Sequence, residues 1–287
     1  MSIWEALPIL QNGIIACVIA ALVCSFLGVY VVLKRIVFMS AALSQVSSLG
    51  VAVALPLQVL IWNEAADNPL TESPPLVMIF PIAISLLFSC SAALIMANQT
   101  TEKRLSQECI LGIAYIVPAA LALLILDSTG GTVNDINNIL FGNTVVVPIV
   151  YVWSIVIAAG VVMLMHGTLY KEFIFVSFDS DTAKTAGLKT ALLNRLLFSS
   201  LAVMISVSIV TIGILPVFSF MVLPPATAIL LTTTLKNTFI FSVIFGGMAA
   251  LTGFYLSFLF SLPTGPAIIT VEAILFLVGV LRNMARH

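Results

Sequence analysis

A five-residue stretch, SQVSS from Ser44 to Ser48, places four polar side chains inside an apolar run. Hydroxyl and amide groups at membrane depth can contact a hydrated ion or hydrogen-bond a neighbouring helix. Ser44, Gln45 and Ser48 are therefore candidates for lining a substrate path. Interhelical hydrogen bonding by the same side chains is the alternative.

Two acidic residues could carry cation chemistry. Glu272 lies within the apolar stretch PAIITVEAILFLVGVL, and a charged side chain at the centre of a membrane helix costs roughly 2.5 to 3.5 kcal/mol on insertion scales. We therefore expect Glu272 to face the protein interior, as a hydrogen-bonded protonated acid or as a cation-binding carboxylate. Asp135, in TVNDINNILFGN, would attract an arriving cation at the outer mouth, contact a binding protein there, or cap a short helix. Both are candidate metal ligands.

The elements that must position these residues are membrane helices. The chain is 61% hydrophobic and 8% charged, whereas soluble domains carry about 25% charged residues. Its apolar runs of about 20 residues match the thickness of a bilayer, and no short alternating strands of a barrel are present. The composition predicts an all-α, polytopic bundle in which residues 1–287 form one transmembrane domain. The predicted spans are Ile9–Leu33, Ser40–Leu57, Leu76–Ala97, Cys109–Leu126, Val145–His166, Arg195–Gly213, Pro216–Leu235, Thr238–Phe260 and Pro266–Leu281.

The charges of the loops predict the orientation. With nine spans, all eleven Lys and Arg residues fall on one side, which the positive-inside rule assigns to the cytoplasm. The charged residues on the opposite side are all acidic, namely Glu5, Glu64, Asp67, Glu72, Asp127 and Asp135. The N-terminus is therefore expected outside and the C-terminus in the cytoplasm.

Several functional classes are disfavoured. The net charge of −1 indicates no nucleic-acid partner, and the absence of HExxH disfavours an intramembrane metalloprotease. An ion-coupled secondary transporter would need a coupling-ion site and usually inverted repeats, and neither is evident. No GxxxxGK[ST] phosphate loop occurs, so the chain is not expected to hydrolyse ATP itself.

The longest loop on the basic side, at about residues 170–194, contains a short helix signal. Asp179 fits as the N-cap of a helix from Ser180 to Ala186, and Gly187 suits a left-handed C-cap. Phe173, Phe175 and other apolar residues give the segment an apolar side. Such a helix could dock on a partner protein or lie as a connector on the lipid headgroups.

This loop, LYKEFIFVSFDSDTAKTAGL, closely resembles the signature of the metal-ion family of ATP-binding-cassette permeases. Further stretches resemble the same family in the right order along nearly the whole chain. They are GVYVVLKRIVFMSAALSQVSSLGVA, QECILGIAYIVPAALALLIL, DINNILFGN, MVLPPATAILL and LPTGPAIITVEAILFLVGVL.

The resemblance implies the permease subunit of an importer for zinc, manganese or iron, in the bacterial cytoplasmic membrane. It implies a homodimer fed by an extracytoplasmic binding protein, with alternating access driven by ATP bound to separate ATPase subunits. No cofactor is expected on this chain, and the metal is cargo. The family's coupling helix corresponds to residues 177–188 and within them to Ser177, Phe178, Asp179, Asp181, Ala186, Gly187 and Leu188.

One position departs from the family pattern. Many members carry a His, a soft metal ligand, directly after the Ser that matches Ser44, whereas this chain has Gln45. A neutral amide is a poor zinc ligand. A permease for a metal chelate is therefore the alternative to one for a bare metal ion.

Overall fold

The computed structural model describes residues 3–62, 75–97, 106–129, 140–142 and 147–285. Within these ranges the chain forms helices and short turns, with no β-strand. In chain order the helices are α1 (Ile3–Leu33), α2 (Val37–Trp62), α3 (Pro75–Ala97), α4 (Gln107–Ser128), α5 (Ile149–Thr168), α6 (Tyr170–Phe178), α7 (Ser180–Thr185), α8 (Thr190–Ile212), α9 (Ile214–Leu231), α10 (Leu235–Phe260) and α11 (Thr264–Met284).

Among the described residues, nine helices are long and apolar enough to span a bilayer, so the predicted all-α bundle of nine spans is confirmed. Several predicted ends are wrong by up to five residues. The second span continues to Trp62 rather than Leu57, and the sixth begins at Thr190 rather than Arg195. A helix in lipid satisfies its own backbone hydrogen bonds, so the polarity of its side chains alone does not set its ends.

Four helices form the centre of the bundle. Within the most apolar 18-residue stretch of each helix, the buried share is 67% in α1, 72% in α2, 72% in α8 and 56% in α9. The corresponding values for α3, α4 and α5 are 28%, 22% and 33%. The polar residues identified from the sequence in α2 therefore lie on a central helix, whereas α3 to α5 present most of their apolar surface outward.

Close helix packing depends on glycine at a few positions. A Cβ added at Gly28 in α1 would lie 2.8 Å from the Met221 carbonyl carbon and Cα in α9, closer than real Cβ contacts. A Cβ at Gly50 in α2 would lie 2.6 Å from Ser85 Cα in α3. Small residues commonly bring membrane helices together in this way, because packing rather than the hydrophobic effect drives their association in lipid.

The prolines do not end the helices in which they lie. Pro118 lies inside α4, and both Pro224 and Pro225 lie inside α9. Pro216 occupies the first turn of α9, where a missing backbone N–H leaves no hydrogen bond unmade. The break between α8 and α9 lies at Gly213, whose φ of 87° is readily adopted only by glycine.

Candidate translocation path and coupling segment

The SQVSS stretch lies on the buried side of α2. Ser44, Gln45 and Ser48 are 1%, 7% and 2% exposed. The Ser44 hydroxyl donates to the Ser40 carbonyl at 2.8 Å, a bond within the same helix. Ser44 therefore satisfies its own hydroxyl, and within the described ranges it makes no hydrogen bond to another helix.

Ser47 links three helices through hydroxyl groups. Its Oγ lies 2.6 Å from Ser85 Oγ in α3 and 3.3 Å from Ser206 Oγ in α8. Ser206 also donates to the Ser85 carbonyl at 3.3 Å. For Ser47, therefore, the alternative interpretation of the SQVSS stretch, interhelical hydrogen bonding, agrees with the structure. Ser85 and Ser206 were not identified from the sequence, because a single serine in an apolar run is common wherever helices pack closely.

Gln45 and Ser48 differ from Ser47. Neither side chain hydrogen-bonds to another residue in the part of the chain that the structure describes. An amide offers one acceptor oxygen and two N–H donors, so a buried amide without a protein partner is available to a hydrated ion or a polar substrate. Of the predicted path residues in α2, Gln45 and Ser48 retain free polar groups.

Glu272 lies in the interior, where the sequence predicted it to face. It is 1% exposed, and Ser219 Oγ in α9 donates a hydrogen bond to its Oε2. Its Oε1 is buried and has no hydrogen-bond partner among the described residues. Ser219 was not identified from the sequence, because no spacing rule relates residues that lie on different helices.

Only one of the two predicted metal ligands, Glu272, lies in the described parts of the chain. Those parts contain no group of three His, Cys, Asp or Glu side chains placed to hold a metal ion. Asp135, the second predicted ligand, lies outside the described residues. Glu272 therefore remains a single carboxyl group in contact with Ser219.

The predicted short helix in the long loop is confirmed as α7, with Thr185 rather than Ala186 as its last residue. Asp179 is the N-cap, and its Oδ1 accepts from the amides of Asp181 and Thr182 at 3.1 and 3.0 Å. Hydrogen bonds from the Thr182 hydroxyl and amide lower the pKa of Asp179 below its ordinary value. Asp179 is thus ionised at neutral pH, and the stability that its charge adds to the cap is lost as the pH falls through that lowered pKa.

The end of α7 also follows the prediction. Gly187 has a φ of 85° and open space around it, so its role is to permit a left-handed turn rather than close packing. From Phe178 to Gly187 every residue except Ala183 is exposed, and Phe178 itself is 63% exposed. Ser177 is buried and Leu188 half-buried. The segment therefore presents a capped helix and an exposed aromatic side chain outward.

An aromatic cluster anchors this segment to the bundle. Phe173 in α6 is 1% exposed and stacks on His166 in α5, with ring centroids 4.6 Å apart. Tyr30 in α1 packs against both rings, at 5.4 Å from His166 and 6.2 Å from Phe173. Phe239 in α10 lies 5.0 Å from Tyr30. Four helices thus meet at the base of the α6–α7 segment.

A polar contact fixes the residues that follow the segment. Lys34, just after α1, donates to Asn194 Oδ1 in α8 at 2.5 Å, and its ammonium lies 5.9 Å from the Phe198 ring centroid. Partial burial lowers the pKa of Lys34 to about 8. This residue therefore joins the end of α1 to the start of α8.

Comparison with known proteins assigns this arrangement to a family. The sequence pattern of the ABC 3 transport family matches residues 6–283. The manganese transport system membrane protein MntC of Listeria monocytogenes is 28% identical over 272 residues, which cover 95% of this chain and 90% of the relative. A probable iron transport system membrane protein of Haemophilus influenzae is also 28% identical, over 90% of this chain and 84% of its own.

A solved structure has the same fold. PsaBC from Streptococcus pneumoniae, solved in complex with Fab, superposes with a TM-score of 0.77 at 22% identity, and the match covers 94% of this chain and 90% of that one. The family match extends over nearly all of the chain, from α1 to α11, and includes the central helices and the α6–α7 segment. The chain belongs to the ABC 3 transport family, and it is the multi-pass inner-membrane permease subunit of an ATP-binding-cassette transporter.

Proposed function

We propose that this permease imports a divalent transition metal ion, with manganese and iron the first candidates and zinc the third. The observation that carries the proposal is the similarity to manganese and iron transport proteins over at least 90% of this chain. The free polar groups of Gln45 and Ser48 on a central helix supply oxygen ligands, which suit manganese better than the softer metals.

Transport of the metal itself tests the proposal. The permease, its ATPase and its binding protein are reconstituted in proteoliposomes, and uptake of radiolabelled Mn²⁺ is measured with and without ATP. We expect ATP-dependent accumulation of Mn²⁺. Uptake of none of Mn²⁺, Fe²⁺ and Zn²⁺ under these conditions contradicts the proposed cargo.

A permease for a metal chelate is the second candidate. Gln45 favours it, because an amide binds a bare soft metal poorly but hydrogen-bonds readily to the organic part of a chelate. The same proteoliposomes discriminate the two candidates. ATP-dependent uptake of a chelated metal without uptake of the free ion supports the chelate.

The partners in the proposal are a second copy of this chain, cytoplasmic ATPase subunits and an extracytoplasmic binding protein. The exposed α7 helix and Phe178 support an ATPase-docking role for residues 177–188, with ATP bound and hydrolysed on the partner. Only 22% of the apolar stretch of α4 is buried, so its outward apolar surface is available to lipid or to the second copy.

The proposed orientation places the N-terminus outside and the C-terminus in the cytoplasm. Cysteine labelling with a membrane-impermeant maleimide tests it, after replacement of the four native cysteines. We expect Asp67→Cys to react from outside intact cells and Lys236→Cys to react only after the membrane is opened. Reaction of both positions from the same side contradicts an odd number of spans between them.

Gln45 is proposed to line the metal path. We expect Gln45→Ala to reduce uptake without lowering protein abundance. We expect Gln45→His to introduce a soft ligand and to strengthen the zinc dependence of ATP hydrolysis by the reconstituted complex.

Ser47→Ala provides the contrast on the same helix. It removes a hydroxyl shared with Ser85 and Ser206, so it should destabilise the bundle by about 0.6 to 2 kcal/mol, the range for interhelical hydrogen bonds. Gln45→Ala should leave thermal stability unchanged. A Gln45→Ala protein that transports normally but unfolds early, as expected for Ser47→Ala, would assign Gln45 to helix packing instead.

A further inference from the structure

His166 in α5 has one ring nitrogen paired and the other unpaired. The ring is fully buried, and its Nδ1 lies 3.0 Å from the Val162 carbonyl oxygen. Because a carbonyl can only accept a hydrogen bond, Nδ1 carries the proton, and burial favours the neutral ring, in which Nε2 is an acceptor. Nε2 is buried and has no hydrogen-bond partner among the described residues. The tautomer of His166 is thus fixed by its own helix, and an acceptor is left unpaired inside the bundle.

Tyr30 in α1 carries the complementary group. Its side chain is also fully buried, and its hydroxyl has no hydrogen-bond partner within the described ranges. The rings of Tyr30 and His166 are neighbours, with centroids 5.4 Å apart and an angle of 50° between their planes. A phenol can donate a hydrogen bond, and the unprotonated Nε2 can accept one. An unpaired donor and an unpaired acceptor therefore lie in the same cluster, where each costs free energy for as long as it stays unpaired.

The surrounding rings connect this pair to the α6–α7 segment. Phe173 in α6 stacks on His166, with centroids 4.6 Å apart and planes within 19°, and it lies 6.2 Å from Tyr30. Phe239 in α10 lies 5.0 Å from Tyr30 and 5.7 Å from Tyr170, the first residue of α6. Aromatic rings at these separations are in contact. A displacement of α6 therefore moves rings that touch both members of the pair.

We propose that Tyr30 and His166 are positioning residues that couple the α6–α7 segment to the central helix α1. In the conformation described here their hydrogen bond is not made. Displacement of the segment during the ATP cycle brings the Tyr30 hydroxyl onto His166 Nε2, and the bond stabilises that second arrangement of α1 and α5. Packed interiors switch between discrete arrangements rather than deforming continuously, so one hydrogen bond can bias the choice. The proposal rests on the proposed ATPase-docking role of residues 177–188, because that contact supplies the displacement.

Nitrogen NMR of the histidine ring tests the hydrogen bond directly. The chain contains two histidines, so a ¹⁵N-histidine-labelled permease with His287→Asn, combined with unlabelled ATPase, gives the signals of His166 alone. Two states of the complex are compared, the nucleotide-free state and the ATP-bound state with hydrolysis blocked. We expect Nε2 to resonate as a bare, unprotonated nitrogen in one state and to shift upfield in the other, and Tyr30→Phe to abolish the difference. The same Nε2 position in both states without the Tyr30 substitution overturns the proposal.

Single and double variants test the contribution to transport. Tyr30→Phe removes only the hydroxyl, and His166→Phe keeps an aromatic ring against Phe173. Each should reduce ATP-dependent Mn²⁺ uptake by about 2- to 10-fold, the factor that corresponds to one hydrogen bond of ordinary net strength. The double variant should transport as well as the weaker single variant, because both changes remove the same bond. Losses that multiply in the double variant, or a Tyr30→Phe protein that unfolds early but transports normally, contradict the proposal.

Tyr170→Phe is the matched control. Tyr170 is half-buried and packs on Phe239 in the same cluster, so the substitution removes a second phenolic hydroxyl and keeps the ring. Uptake and the difference in the Nε2 signal should both be unchanged. Loss of the Nε2 difference in Tyr170→Phe, with the difference retained in Tyr30→Phe, would assign the hydrogen bond to the wrong tyrosine and overturn the proposal.

Co-purification of the ATPase separates this proposal from the one on which it rests. The ATPase should be lost from the variant with Asp179→Pro and Gly187→Val. Retention of the ATPase by that variant refutes the docking role of α7, and the proposed coupling through Tyr30 with it. When docking depends on α7 and the Nε2 signal still does not change between the two states, the docking role stands and the Tyr30–His166 hydrogen bond alone is refuted.

Discussion

Replacement of Asp179 by proline together with Gly187 by valine is expected to abolish transport while the protein remains inserted in the membrane. Proline cannot accept the hydrogen bonds that Asp179 Oδ1 accepts from Asp181 and Thr182, and loss of such a cap costs about 0.5 to 2 kcal/mol. Valine at Gly187 would have to adopt a φ of 85°. This left-handed backbone conformation costs an L-residue roughly 1–2 kcal/mol. A helix of six residues is only marginally stable by itself, so α7 should unfold.

A conservative double variant is the control for this prediction. Asparagine is about as good an N-cap as aspartate and tolerates left-handed backbone, so Asp179→Asn with Gly187→Asn should retain α7 and transport. Co-purification of the ATPase measures docking, and ATP-dependent uptake measures coupling. Full activity of a well-expressed Pro–Val variant would falsify the proposed ATPase contact of residues 177–188.

Gly28→Ala is expected to destabilise the bundle, although alanine is the better helix former. The added Cβ would lie 2.8 Å from the Met221 carbonyl carbon and Cα, so the backbones of α1 and α9 must separate. Overpacking of this kind typically costs 1–3 kcal/mol, which exceeds the roughly 0.5–1 kcal/mol that alanine gains over glycine within a helix. The midpoint of thermal unfolding in detergent is the measurement.

Gly160→Ala is the matched substitution for this second prediction. Gly160 lies inside α5 and has open space around it, so its Cβ meets no neighbouring atom. The same chemical change should therefore raise stability slightly at Gly160 and lower it at Gly28. Equal effects at both positions would show that helix propensity, not the α1–α9 contact, decides the outcome.

The sequence predicts well those features that depend on one element at a time. Apolar length identifies the nine spans, because each helix satisfies its backbone by itself in lipid. Asp179 and Gly187 were recognisable as caps, because a capping residue contacts a backbone only a few positions away. The interior position of Glu272 followed from the cost of exposing an acid to lipid.

Features that depend on pairs of helices could not be predicted. Ser219 lies 53 positions before Glu272, and Ser206 lies 159 positions after Ser47, so no local pattern indicates either contact. The same limit applies to the His166–Phe173 stack, because its two rings belong to different helices. The ends of the spans shifted for a different reason, since polarity marks where a helix leaves the membrane and not where it stops.

The aromatic cluster of His166, Phe173, Tyr30 and Phe239 bears on how such permeases can be recombined. Phe173 belongs to the loop that carries α7, and the other three rings come from three separate helices. Interior packing tolerates changes that conserve total volume but not a change on one side alone. A chimera that receives the loop of a relative is therefore expected to fold only when the partner rings are transplanted with it, so an exchanged segment should include the whole cluster.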